Sequence, residues 1–381
     1  LIIGGIGTCE VHTGIGKTFV FFKCLQTLPK NTNVLFLSEA QVREKTVKDD
    51  AEFYEKLYGY NPLENYNVVF KLYQSAYKTS VQDIFPNSNS TFICMDEIQD
   101  LLSDKRILFI LNSNLNNVKL LALTATLDRK RKYIVQDEEI TKYQLLNRFC
   151  PIIYSYTINE AIDDKNTREL KFFILKHSLD IRKNIKAKGK NKEWMTSEQL
   201  QYEYLDKAFK KAIFMPDSKS KDKYVRMCAA NRARFLYSLP SKTELVKTLV
   251  SKLEGKTLIF GLDNKSLIEI CPNAIVETNK NLSKDLEDFK LGKTQITASN
   301  KILRQGENIP NLSNIIFHSY YSAWPVFTQM LGRSRKSNSV GYVILVLTEN
   351  TQEQKWFEAA TENLKSSWIY CTSINQLIER L

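Results

Sequence analysis

Short, continuously apolar runs alternate along the first part of the chain with longer stretches in which apolar residues recur every three or four positions. Residues 34–37, 68–72, 92–95 and 120–123 are runs of the first kind, and residues 41–58 form a stretch of the second kind. A strand covered on both faces reads as an unbroken apolar run. Its regular alternation with helix-like stretches therefore predicts a parallel sheet with helices on both sides. In such sheets ligands gather at the carboxyl ends of the strands, so chemistry is expected just after each run.

The pattern changes near residue 151. Two more β-rich runs, 152–156 and 170–175, lead into a charged, helix-prone segment. Regular alternation resumes after a helix-like stretch at 241–253, with strands expected at 257–261, 274–277, 295–298, 315–318 and 342–347. Residues 351–381, with Trp356, Phe357 and Trp368 at helical spacing, read as a helical cover for this second sheet. The expected division is a first domain at 1–151 and a second at 152–381, the latter with a basic helical insertion at about 180–240.

A chain of 381 residues is long enough for two cores of ordinary size. No apolar run approaches the length needed to cross a bilayer, and the apolar opening Leu1-Ile2-Ile3 lacks the basic flank of a signal peptide. The chain begins without Met and is expected to be a piece that enters just before its first functional turn. Seven cysteines stand singly, with no pair at metal-ligand spacing, and are expected as buried thiols in a reducing cytoplasm. Three histidines, His12, His177 and His318, argue against a His-rich metal site or a Ser-His-Asp triad.

Charge adds one pointer. Lys plus Arg outnumber Asp plus Glu by 54 to 42, a net +12, the balance of a protein that meets polyphosphate. Between Asp180 and Arg226 stand 13 basic against 7 acidic residues, and Arg182 to Lys192 holds six basic residues and no acid. That segment is either a solvated surface or an arm that grips phosphates without reading bases.

The candidate chemistry starts at Glu10-Val11-His12-Thr13-Gly14-Ile15-Gly16-Lys17-Thr18, a polar, Gly-rich turn between a strand-like run and an apolar helix. Gly14 and Gly16 let backbone N–H groups turn inward around phosphates, and Thr13 opens this core. Lys17 reaches the β/γ oxygens of a triphosphate such as ATP, and Thr18 offers a hydroxyl to Mg²⁺. The strict pattern has Gly where this chain has Val11. Downstream, the run Phe92-Ile93-Cys94-Met95 ends in Asp96-Glu97-Ile98-Gln99. Asp96 would hold Mg²⁺ through water, and Glu97 would align and deprotonate an attacking water. The next strand ends in Leu123-Thr124-Ala125-Thr126, hydroxyl residues suited to relaying whether a γ-phosphate is present.

This order of motifs resembles the superfamily 2 helicases of DEAD/DEAH type, and within them the XPB-like and phage- or large-virus-encoded DNA helicases. The resemblance implies two tandem RecA-like α/β domains with ATP and Mg²⁺ in the cleft between them. Gln99 stands where the acidic box often has His and is expected to touch the second domain or the Thr-Ala-Thr segment. Residues 298–310 resemble motif V, which implies nucleotide contacts from Gly306 and Asn308 and strand contacts from Ser299 and Arg304. Asn308 replaces an Asp found in many relatives. Residues 327–336 resemble motif VI, with Gln329 toward the nucleotide and Arg333 and Arg335 catalytic. The family spacing puts the arginine finger at Lys336, so Arg335 lies one position early. Ser38 and Arg43, and Gln74 and Ser75, lie in stretches resembling the strand-contacting motifs Ia and Ib.

The resemblance implies a cytoplasmic, monomeric ATP hydrolase that moves on or unwinds DNA, with RNA as a possible polymer and no membrane partner. A double-strand translocase of a restriction or remodelling system would use the same engine without separating strands. A scaffold that binds nucleotide without turnover is the rival from another class, and the intact Glu97 argues against it.

Overall fold

The computed structural model describes the chain except residues 1–4, 13–15, 40, 87–89, 104, 126, 128, 130–131, 136, 165–167, 189–192, 217–218, 301–308, 320–329, 332–339, 363 and 365–366. It divides into two compact units, residues 1–167 and 168–381.

The first unit is built on six parallel strands: β1 (Ile6–Val11), β2 (Asn33–Ser38), β3 (Asn67–Leu72), β4 (Thr91–Asp96), β5 (Val118–Thr124) and β8 (Ile152–Tyr156). Their order is β3-β2-β4-β5-β1-β8. A small antiparallel hairpin, β6 (Lys132–Val135) and β7 (Glu138–Thr141), stands beside them. The apolar runs have a simple cause, because alternate residues of each strand feed opposite cores. Leu35, Leu37, Ile93, Met95, Leu120 and Ala122 pack on one face. Val34, Phe36, Phe92, Cys94, Leu121 and Leu123 pack on the other.

The helix Lys17–Leu25 is pinned to that second face. Phe21 and Phe22 are fully buried, and the Phe21 ring lies 5.1 Å from Phe36 and 6.2 Å from Phe92. Burying each such side chain stabilises the fold by about 1.5–3 kcal/mol, so the helix start is held firmly against the strand ends.

The boundary between units differs from the expected one. Ile152–Tyr156 pairs in parallel with β1 and forms the edge of the first sheet, so the division falls after residue 167 rather than after 151. Gly7 permits this pairing. A Cβ there would meet Ile153 Cδ1 at 2.3 Å.

The second unit repeats the plan with β9 (Leu170–His177), β12 (Lys256–Phe260), β13 (Ile296–Ser299), β14 (Leu312–Phe317), β15 (Gly341–Thr348) and β16 (Trp368–Cys371). All pairings are parallel, in the order β13-β12-β14-β15-β9-β16. Three expectations are corrected here. Residues 274–277 form no strand and contribute only an isolated bridge from Ile275 to Ser299. The tail is not wholly helical, because after the helix Gln352–Thr361 the chain adds β16 beside β9. The insertion is not wholly helical either.

Its first part is an antiparallel hairpin of β10 (Ile185–Lys188) and β11 (Glu193–Thr196), followed by helices Glu198–Ile213 and Lys219–Tyr237. Ile185-Lys186-Ala187-Lys188 alternates with period two, the strand signal that the density of lysines obscured. Buried polar ties hold this insertion to the sheet. Glu198 accepts from the Ser241 backbone N–H at 2.9 Å and from its hydroxyl at 2.5 Å, and the Ser241 hydroxyl lies 2.8 Å from His177 Nε2. Nearby, fully buried Lys242 and Glu353 pair at 2.7 Å, joining the helices Pro240–Val250 and Gln352–Thr361.

Candidate functional site

Gly16 caps the helix Lys17–Leu25 at φ 98° and ψ 40°, a left-handed geometry that glycine adopts without steric cost. The first turn of that helix carries no acidic side chain. Its positive end is thus not offset by an acid of its own first turn, the electrostatics that suit an anion. Opposite, β4 ends at Asp96, and Glu97 takes φ 51° as the chain turns into the short 3₁₀ segment Ile98–Asp100. A left-handed non-glycine residue costs about 1–2 kcal/mol, and strain of this kind persists where neighbours fix it.

Lys17 Nζ pairs with Glu97 Oε1 at 2.5 Å. Gln99 donates from Nε2 to Glu97 Oε2 at 2.9 Å and accepts from the Thr124 hydroxyl at 2.7 Å. The strand register sets this up, since Asp96 lies level with Leu123 and Glu10 level with Thr124. Gln99 therefore meets the Thr-Ala-Thr segment as expected, through Thr124, while Thr126 lies outside the described residues. Burial works to raise the pKa of Glu97, but Lys17 outweighs it and holds the carboxyl below its ordinary range. Glu97 is therefore a deprotonated acceptor at neutral pH.

Asp96 is 4% exposed. Its Oδ2 accepts from Arg43 Nε at 2.6 Å, and Arg43 Nη2 donates to the Thr18 hydroxyl at 3.0 Å. The other oxygen, Oδ1, is buried with no hydrogen-bond partner. Burial opposes the charge on Arg43, but the Asp96 carboxylate prevails and leaves its pKa raised. The Arg43 guanidinium, expected at a nucleic-acid strand, is engaged here by the two residues assigned to Mg²⁺. An orphaned carboxylate oxygen beside a hydroxyl is a hard-oxygen donor set, and it fits that ion.

Other assigned residues fall in three groups. Ser38 and Ser299 are buried, and the Ser299 hydroxyl donates to the Ile275 carbonyl at 2.9 Å, so these side chains are not presented to a strand. Gln74 and Ser75 are exposed on the short helix Tyr73–Ala76 and remain available. Thr13, Gly14, Arg304, Gly306, Asn308, Gln329, Arg333 and Arg335 lie outside the described residues.

Sequence reasoning missed several supports. Tyr73 donates to the Asp96 carbonyl at 2.7 Å, and Lys142 donates to the Gln99 carbonyl. Glu10 accepts from the Leu127 backbone N–H at 3.1 Å and pairs with Arg129, tying the end of β1 to the segment after β5. Arg106 clamps Glu39 at 2.5 and 3.1 Å and donates to the Asp100 carbonyl at 2.8 Å. A carboxylate ending an apolar strand was the one signal that pointed to Glu10.

No curated protein matches this sequence. The family described as type III restriction enzyme, res subunit (ResIII) matches residues 6–129, a stretch that runs from β1 past Thr124. Among solved structures, S. cerevisiae Dbp5 bound to RNA and ADP BeF3 aligns with a TM-score of 0.60 at 10% identity, over 98% of this chain and 89% of that one. The ATP-dependent Type ISP restriction-modification enzyme LlaBIII bound to DNA gives 0.57 at 14% identity, over 97% of this chain but 30% of that one. The Pyrococcus furiosus Hef helicase domain gives 0.55 at 14% identity, over 93% and 95%. At these identities the likeness is one of fold.

Proposed function

We propose, from the premise that this chain belongs to helicase superfamily 2, that it is an ATP-hydrolysing motor that moves along or unwinds DNA. The observation that carries the reading is one cluster: the Gly16-capped helix start, Lys17 and Thr18 meet Asp96 and Glu97, and Gln99 links Glu97 to Thr124.

The residues divide the work. A triphosphate arriving at the helix start attracts Lys17 away from Glu97, so the ion pair between them is exchanged for one with the phosphate. Glu97, already ionised, is then free to orient a water and take its proton. Gln99 holds Glu97 to β5, so a shift of Thr124 alters where the base points. Mg²⁺ would sit at Asp96 and Thr18, where it would neutralise charge on the phosphates. Arg43 must leave those two groups before they can turn to it. Arg333 and Arg335 are proposed for the transition-state charge, with Arg335 as the finger.

DNA is favoured as the polymer by the restriction-enzyme family that matches the first unit and by the fold shared with a DNA-bound restriction enzyme. The same two likenesses favour a second reading, translocation on duplex without strand separation. ATPase rates with no polymer, single-stranded DNA, duplex DNA and RNA, run beside a strand-displacement assay, test both. Stimulation by DNA supports the reading. Stimulation by RNA alone overturns the choice of polymer, and stimulation by duplex without displacement selects the translocase.

A further inference from the structure

The insertion carries chemistry that the ATP site does not use. Its acids are largely turned inward: Glu198 is buried on Ser241, Asp180 is taken by Arg182 at 2.8 Å, and Asp206 lies between Arg232 and Lys210. Among the described residues, Glu193, Glu203 and Asp222 are exposed acids, and the exposed cations outside those ion pairs are Lys183, Lys186, Lys207, Lys211, Lys223 and Arg226.

Large rings stand among those cations. Trp194 is 45% exposed, Tyr204 68%, Phe214 86% and Tyr224 41%. Tyr204, Lys207 and Lys211 recur at three- and four-residue spacing on the helix Glu198–Ile213, which places them along one face. Tyr224 stands on the helix Lys219–Tyr237, which packs against Glu198–Ile213. In the hairpin, Lys186 shares a face with Met195, and Trp194 lies on the other face, level with Ala187. Burying such rings would stabilise a monomer, so their exposure as a group marks a contact surface.

We infer that this helix pair forms a platform for single-stranded DNA, with bases stacked on Tyr204 and Tyr224 and phosphates held by the interleaved lysines. The inference rests on the reading of the chain as a DNA motor and assigns a strand-holding surface outside its motifs. Charge decides the occupant. The surface is cationic, which complements a polyphosphate, and rings interleaved with exposed cations match alternating bases and phosphates. Stacking tolerates any sequence, as a moving motor requires.

Binding of fluorescein-labelled (dT)20 to the full chain, measured by anisotropy at several salt concentrations, tests this. Tyr204→Ala with Tyr224→Ala is expected to weaken binding about tenfold or more with little change in salt slope, while Tyr204→Phe with Tyr224→Phe retains it. Lys207→Gln with Lys211→Gln and Lys223→Gln is expected to flatten the slope of log K against log salt by about 0.7 per lost contact. Thermal midpoints of the variants check folding, and the phenylalanine pair separates stacking from fold. If the wild-type chain binds (dT)20 and both the alanine and glutamine variants bind as well as it does, the platform is wrong and the motor stands. If the wild type binds no oligonucleotide and no polymer stimulates its ATPase, both fall. Equal dependence on these residues with (rU)20 but no binding to (dT)20 would overturn DNA as the occupant.

Discussion

Replacing Arg43 with Ala removes the cation that sits on Asp96 and Thr18, the two residues proposed for Mg²⁺. The pair is short, 2.6 Å, and its side chains are 15% and 4% exposed. Removing one partner of a buried ion pair costs about 3–5 kcal/mol, because the other charge is stranded. Arg43 retains some solvent contact, so about 2–3 kcal/mol is the fitting expectation. In a unit of this size each kcal/mol moves the melting temperature by about 2–4 °C, which predicts a fall of about 4–12 °C in calorimetry of the magnesium-free chain. Millimolar Mg²⁺ without nucleotide should then restore much of the loss, since Asp96 and Thr18 no longer have a resident cation, and ligand at 100 times its Kd stabilises by about 2.7 kcal/mol. The wild type should respond weakly to Mg²⁺ alone. Ionic strength is matched with a monovalent salt. A variant that melts within about 1 °C of wild type, or equal magnesium shifts in the two proteins, would refute the placement of Arg43 on Asp96.

Asp100 is held at a pKa of about 6 against an ordinary 3.8, first by burial and then by Glu97 and Glu39. The folded protein thus keeps a proton that the unfolded chain has lost between about pH 4 and 6, so stability falls as pH rises through that window. Asp100→Asn should flatten this fall and stabilise the chain above pH 6 by on the order of 1–3 kcal/mol in denaturant titrations; an unchanged pH slope would contradict it. Arg335→Ala should lower kcat by about 10³-fold or more with near-normal nucleotide affinity, while Lys336→Ala is mild. The reverse pattern in steady-state kinetics would move the finger to Lys336.

What could be read in the sequence is what lies close together along it. β2, β4 and β5 announce themselves because alternate side chains enter two apolar cores, and Asp96 and Glu97 follow directly on one of those strands. The turn before Lys17 is legible for the same reason. Features decided by distant partners were not. Ile153 and Tyr154 are exposed, and only pairing with β1 across Gly7 assigns their strand to the first unit. Arg43 lies in the first turn of the helix Val42–Tyr58, 53 positions before Asp96, and nothing local tells that its side chain turns to that carboxylate. Lys242 reads as a surface lysine until Glu353, on a helix more than a hundred residues on, takes its charge into the core.

In the proposed mechanism Lys17 binds the nucleotide phosphates and Glu97 activates water at one site. Nucleotide affinity and multiple-turnover phosphate release, measured side by side for wild type, Lys17→Ala and Glu97→Gln, address it most directly. Lys17→Ala should lose binding, because the helix start loses its charged contact with the β/γ-phosphates, and Glu97→Gln should bind ATP normally and release almost no phosphate. Sustained turnover in Glu97→Gln would contradict the account, because the base would then lie elsewhere.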